Sequence, residues 1–145
     1  MFDVILSIYP DIPSVVQLIA AGVFVVVGIY SSMKRTYLTY VLTNPKTNQK
    51  YIGRASGIGE IEKIVRRRLY NHKYFKKGFT EVKVDKAAQG LEARFAIRGR
   101  EQLLIDYHGG IGADILANKI RAIAKLNAKI FQYYKLSNKL FGKLK

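Results

Sequence analysis

The chain has 145 residues and sets 25 Lys and Arg against 10 Asp and Glu, a formal net charge of +15. This length holds one domain with a real core plus an appendage, but not two ordinary domains. The absence of cysteine excludes a disulfide framework and any thiolate zinc site. Residues 1–33 contain Asp3 and Asp11 and no basic residue, so every Lys and Arg lies from Lys34 onward, where only eight acidic residues accompany them. A field of that sign draws polyanions, and nucleic acid and anionic lipid are the common ones.

The first element in chain order is apolar. Ile12 to Tyr30 carries no charge and one strongly polar side chain, Gln17, over 19 residues, and a helix of about 20 residues spans a bilayer core. Lys34 and Arg35 follow it, and basic flanks stay on the cytoplasmic side. Residues 12–30 are therefore expected to form a transmembrane helix, with the basic domain facing the cytoplasm. The alternative is a buried core strand, because Val23 to Ile29 is rich in β-branched residues. A cleavable signal peptide is disfavoured by Asp3, which stands where a basic segment is expected.

Tyr37 to Thr43 alternates aromatic and β-branched residues and reads as a strand. Asn44-Pro45-Lys46-Thr47-Asn48-Gln49 is a turn, and Lys50-Tyr51-Ile52-Gly53 begins the returning strand, so Tyr40 and Tyr51 meet across a hairpin. A helix is predicted from Glu60 to about Lys76, with Ile61, Ile64, Val65 and Leu69 at helical spacing. Arg68 and His72 fall on its apolar face, where charge is costly unless something anionic receives it. An arginine reaching out to the rim beside a core histidine is the other way to read that pair. A second helix, about Ala96 to Tyr107, places Glu101 among Ile97, Leu104 and Ile105. A carboxylate there wants a cation, either a metal ion or one of Arg98, Arg68 and Arg54. His108, before Gly109-Gly110, reads as a helix-end or packing histidine and not as a ligand.

The remainder, 121–145, is predicted to be a basic helix. Between Ile115 and Lys145 stand eight basic residues and no acidic one. Lys125 and Lys129, then Lys135, Lys139 and Lys143, recur every four residues beside an apolar stripe of Leu116, Ile120, Ile123, Ile130 and Tyr134. Such a ridge suits a phosphate backbone or anionic lipid. Asn118 lies off that stripe.

A strand ending in a tyrosine, a short turn and Tyr51-Ile52-Gly53 on the next strand resemble the core of the GIY-YIG nuclease family. The literal Gly28-Ile29-Tyr30 is the wrong first half: Tyr40 lies 11 residues before Tyr51 and fits the family's tyrosine-to-tyrosine spacing, whereas Tyr30 lies 21 before it and does not. Leu38-Thr39-Tyr40 is then a degenerate first half. Arg68-Leu69-Tyr70-Asn71-His72 matches the family's arginine–histidine pair, Glu101 its metal-binding glutamate, and Asn118 the asparagine that closes its site. The pieces Tyr51 to Gly57 and Ile97 to Gln102 are also similar to nuclease domains at the C-termini of bacterial polymorphic toxins. Over residues 36–120 the resemblance implies an α/β (α+β) domain with a small, mainly antiparallel sheet flanked by helices, and a metal-dependent endonuclease acting on nucleic acid, mostly DNA. It implies Tyr40, Tyr51, Arg68, His72, Glu101 and Asn118 as catalytic residues, with Mg2+ or Mn2+ on Glu101. Tyr40 would help to deprotonate the attacking water, while Tyr51 and His72 orient or shuttle the proton. Gly53, Arg54, Arg67, Lys125 and Lys129 would meet the substrate, and a toxin role would add an inhibitory immunity protein as partner. Two rivals remain at this point: a membrane-anchored nucleic-acid-binding protein without catalysis, and a membrane-active toxin whose apolar segment does the damage.

Overall fold

The computed structural model describes residues 34–145. The apolar stretch 12–30, Gly28-Ile29-Tyr30 and the membrane expectation attached to them lie outside the described residues. Among the described residues no helix is long and apolar enough to cross a membrane.

Three antiparallel strands form one sheet in the order β2-β1-β3, with β1 at Thr36–Thr43, β2 at Lys50–Gly57 and β3 at Glu81–Gln89. Helices α1 (Ile61–Leu69) and α2 (Lys73–Lys76) lie between β2 and β3, α3 (Ala93–Tyr107) follows β3, and α4 (Ile130–Phe141) ends the fold. The β1–β2 turn closes by backbone bonds between Asn44 and both Asn48 and Gln49, with the Asn44 side chain accepting from Lys46 N–H. Asn48 takes the left-handed φ of 61°, which asparagine tolerates better than most residues.

As the middle strand, β1 is covered on both faces. Leu38, Tyr40 and Leu42 pack on one side against Ile64, Val65 and Leu69 of α1. The opposite face carries α3, where Leu104 and Ile105 join Ile52 and Leu116 in a second cluster. Each fully buried aliphatic side chain contributes roughly 1.5–3 kcal/mol of transfer free energy.

The third strand, absent from the elements expected above, contains a bulge: Thr39 pairs with Lys86 and Tyr40 with Val84, leaving Asp85 unpaired. A bulge re-aims the extra side chain. Asp85 accepts from the Thr39 hydroxyl at 2.9 Å and from Arg100 Nε and Nη2 at 2.8 and 3.0 Å. Burial pushes its carboxyl up, but these bonds and the Arg100 charge outweigh that and hold it below the usual carboxylate range. This bidentate pair fixes the rotation of α3 on the sheet, and therefore the direction of the next residue, Glu101.

Two expected helices are corrected. The first ends at Leu69 and restarts as α2 at Lys73, because His72 leaves the helical path and caps α2 by accepting from Tyr74 N–H. The basic helix over 121–145 shrinks to α4, and of its stripe only Ile130 and Tyr134 are helical: Leu116 and Ile123 are buried in irregular chain, while Ile120 is 81 % exposed. Lys125 and Lys129 precede α4, and Lys139 pairs with Glu92 at 3.2 Å, so the lysines do not form one continuous helical ridge. On α4 the deeply buried residues are Tyr133 and Ser137, and they meet α3 at Gly99.

Candidate active site

The site lies at the outer edge of β2, where side chains from both sheet faces reach round the strand. Tyr40 pairs with Gly53 and Leu42 with Tyr51 in the β1–β2 register, so the two tyrosines share a face and sit diagonally across the hairpin. Gly53, expected to touch substrate, is buried and makes room for the Tyr40 ring: a Cβ there would lie 2.4 Å from Tyr40 Cζ. Behind the cleft, the fully buried Tyr40 hydroxyl lies 3.2 Å from His72 Nε2. Tyr51 meets the same imidazole edge-on, with ring centroids 5.1 Å apart.

His72 Nδ1 accepts the Tyr74 backbone N–H at 3.2 Å, and a nitrogen that accepts cannot carry the proton. Burial first, and then the charge of Arg68, hold this histidine's pKa below its usual value. The neutral tautomer that the Tyr74 bond selects carries its proton on Nε2, facing the Tyr40 hydroxyl oxygen. In that tautomer His72 donates towards Tyr40, an arrangement that favours the phenolate and suits the orienting part of its expected role.

Arg68 is exposed on α1, and its guanidinium lies beside the Tyr40 hydroxyl. Burial raises the pKa of Tyr40, and Arg68 works against the rise. Tyr51 is pushed up to about 12, first by burial and then by Tyr40 and Glu101, so it is a protonated hydroxyl at neutral pH. Tyr51, Arg54, Arg68, Glu101 and Asn118 line one open cleft of about 430 Å³.

No protein-family model, curated protein or solved structure matches the chain. The chemistry of the side chains must therefore speak for its function.

Glu101 enters the cleft from α3. Its side chain is 13 % exposed, and Arg54 Nε stands 3.2 Å from Oε2. That contact is close enough for charge attraction but not aligned as a hydrogen bond, so the buried Oε2 has no hydrogen-bond partner among the described residues. Burial raises the Glu101 pKa, and Arg54, Arg68 and Arg98 oppose the rise. An under-coordinated buried carboxylate oxygen fits a hard divalent cation. Among the described residues no three His, Cys, Asp or Glu side chains stand together, so such an ion would take one protein carboxylate and complete its shell with water and substrate oxygens.

Asn118 reaches the site for a reason its position off the expected stripe did not suggest. Its Oδ1 accepts from Ile52 N–H and its Nδ2 donates to Ile52 C=O, both at 2.8 Å. The side-chain amide thus substitutes for a neighbouring strand, continuing the pairing of Lys50 with Ile115 and Ala117. It holds β2 in place, and with it Tyr51 and Arg54 on either side of Ile52.

Arg67 is exposed on α1 and lines neither this cleft nor the pocket beside it. Lys125 and Lys129 are also exposed and outside both. Tyr74 was not foreseen: its ring stacks on Tyr51 at 4.4 Å and its hydroxyl donates to Ala117 C=O at 3.0 Å. Only a break at His72 brings Tyr74 to this face, and a continuous helix hides it. His108 caps the C-terminus of α3, as expected.

Proposed function

We propose that this protein is a metal-dependent endonuclease of the GIY-YIG kind, hydrolysing phosphodiester bonds of DNA. The observation that carries the reading is convergence: on a strongly basic chain Tyr51, Arg68 and Glu101 line one cleft, and the Tyr40–His72 pair is buried behind it against Arg68 and Tyr51. A non-catalytic nucleic-acid binder would have no use for a buried Tyr–His pair or for a desolvated carboxylate short of hydrogen bonds.

Arg68 binds the scissile phosphate as a charged donor. Drawn onto that phosphate, its long exposed side chain uncovers the Tyr40 hydroxyl behind it. Water attacks phosphorus, Tyr40 in its phenolate form takes the proton from that water, and the bond to the leaving oxygen breaks. The Nε2–H of His72 and the nearby guanidinium favour the phenolate against the effect of burial. Tyr51, protonated, orients the water or a phosphate oxygen. Glu101 would hold a divalent cation, which would neutralise the charge that builds on the phosphate oxygens.

The test is nicking of supercoiled plasmid with Mg2+ or Mn2+. Glu101→Ala should abolish cleavage and leave DNA affinity within a few fold, because affinity is spread over many basic residues. Tyr40→Phe should lose most activity and Tyr30→Phe little. Full cleavage by Glu101→Ala would sink the reading.

A further inference from the structure

Beside the cleft, between β2 and α3, lies a larger pocket of about 600 Å³ that shares Arg54 and Arg68 with it and adds Arg94 and Arg98. Four arginines line it, and no acidic side chain among the described residues does. Within this positive field stands Phe95, 42 % exposed. One face of its ring lies parallel to Tyr133, with centroids 5.8 Å apart and 13° between planes. Tyr133 is held in turn: it is buried, its ring carries the Arg98 guanidinium at 5.2 Å, and its backbone oxygen is pressed against Gly99. Arg98 is also fixed, donating from Nε to Ala122 C=O at 3.2 Å. Phe95 is therefore a braced aromatic platform among cations and not a loose surface ring.

We propose that this pocket binds an unpaired nucleotide next to the scissile phosphate, its base lying on Phe95 and its phosphate among the arginines, so that the substrate is single-stranded or locally unpaired nucleic acid. The proposal rests on the endonuclease reading for the word scissile alone. Aromatic platforms in a cationic groove are how proteins hold single strands, since every base has a π face. In a duplex those faces are covered by neighbouring base pairs, and a protein meets phosphates and groove edges instead. The pocket is large enough for a ligand of nucleotide size. Because Arg54 and Arg68 line both cavities, one strand can run from the pocket into the cleft.

The experiment measures binding without cleavage. Fluorescence anisotropy of the full chain, with a chelator present and salt held constant, compares a short labelled single strand with a duplex of the same length. The single strand should bind more tightly. Phe95→Leu keeps an apolar, helix-compatible residue at a half-exposed position but removes the π face; it should weaken single-strand binding roughly five- to hundredfold and leave duplex binding nearly unchanged. Phe95→Tyr should retain the preference. Equal affinity of the unsubstituted protein for the two forms would overturn the proposal, as would Phe95→Leu binding that is unchanged or equally weakened for both. The outcomes are independent of catalysis: absence of cleavage would remove the endonuclease reading and leave the measured preference standing, and loss of the preference would leave the Glu101→Ala result untouched.

Discussion

Gly53→Ala adds one methyl group at the point where the site is tightest. The new Cβ would lie 2.4 Å from Tyr40 Cζ, 2.5 Å from its hydroxyl oxygen and 2.8 Å from Cε2. Carbon atoms rest at about 3.5–4.0 Å, so the ring must recede by roughly 1–1.5 Å. The strand cannot give way instead, because β2 is paired to β1 on one side and clamped by Asn118 at Ile52 on the other. The Tyr40–His72 contact is already 3.2 Å, near the long end for a hydrogen bond, and a shift of that size breaks it. Overpacking of this kind costs about 1–3 kcal/mol, equivalent to a fall in Tm of about 4 °C or more for a domain of this size. Misplacing a reacting group by about 1 Å costs on the order of a hundredfold in rate. The assay is kcat/KM for cleavage of labelled DNA at a temperature where thermal unfolding shows the variant fully folded, beside Tyr40→Phe. The latter should lose activity to a similar degree and about 1–3 kcal/mol of stability, the cost of leaving the buried His72 Nε2 without a partner. If folded Gly53→Ala cleaves within about twofold of the unsubstituted protein, the position of the Tyr40 phenol does not matter to the reaction and the assignment fails.

Asn118→Ala removes both bonds to Ile52 and strands a buried N–H and C=O, at about 1–3 kcal/mol for each unsatisfied group; thermal unfolding should show the loss, and hydrogen exchange should quicken at the Ile52 amide. Gly99→Ala would put a Cβ 2.2 Å from the Tyr133 carbonyl oxygen, forcing α4 away from α3 at a cost of at least about 1–3 kcal/mol; an unchanged denaturant midpoint would refute the close crossing. The folded-state pKa of His72 lies below its ordinary value of 6.5, so its contribution to stability is complete above that pH and is lost as pH falls through the folded pKa. Asp85 behaves likewise at lower pH, its contribution being present above its ordinary 3.8 and lost as pH drops through its depressed folded value. Melting temperature against pH should show both slopes, with His72→Gln erasing the first. Because the pKa of Tyr40 is raised above 10.0, the phenolate fraction grows about tenfold per pH unit at neutral pH, and cleavage should climb on that slope between about pH 7 and 9. A plateau throughout that range would rule out the phenolate as base.

Much of the sheet and part of the site were legible in local pattern. The alternation of Tyr37 to Thr43 and the turn residues from Asn44 to Gln49 determine the hairpin, and its register puts Tyr40 and Tyr51 on one face because side chains alternate across a strand. The apolar period of α3 likewise directs Glu101 inward beside Ile97, Leu104 and Ile105. Tertiary structure decided the rest. Between Leu69 and Lys73 there is neither proline nor glycine, and Asn71 is only a weak stop signal; the break is stabilised because His72 gains a buried place against Tyr40 and a cap on α2. The Asp85 bulge is equally silent in sequence, since its meaning comes from Arg100 and Thr39 on other elements. Leu116 has the spacing of a helical stripe, yet Leu116 to Asn118 run beside β2, because the exposed edge of that strand offers backbone partners which a helix there would leave unpaired. Local preference is worth a few tenths of a kcal/mol per residue, whereas leaving buried backbone groups without partners costs about 1–3 kcal/mol each, so the packed edge prevails and brings Asn118 and Tyr74 to the site.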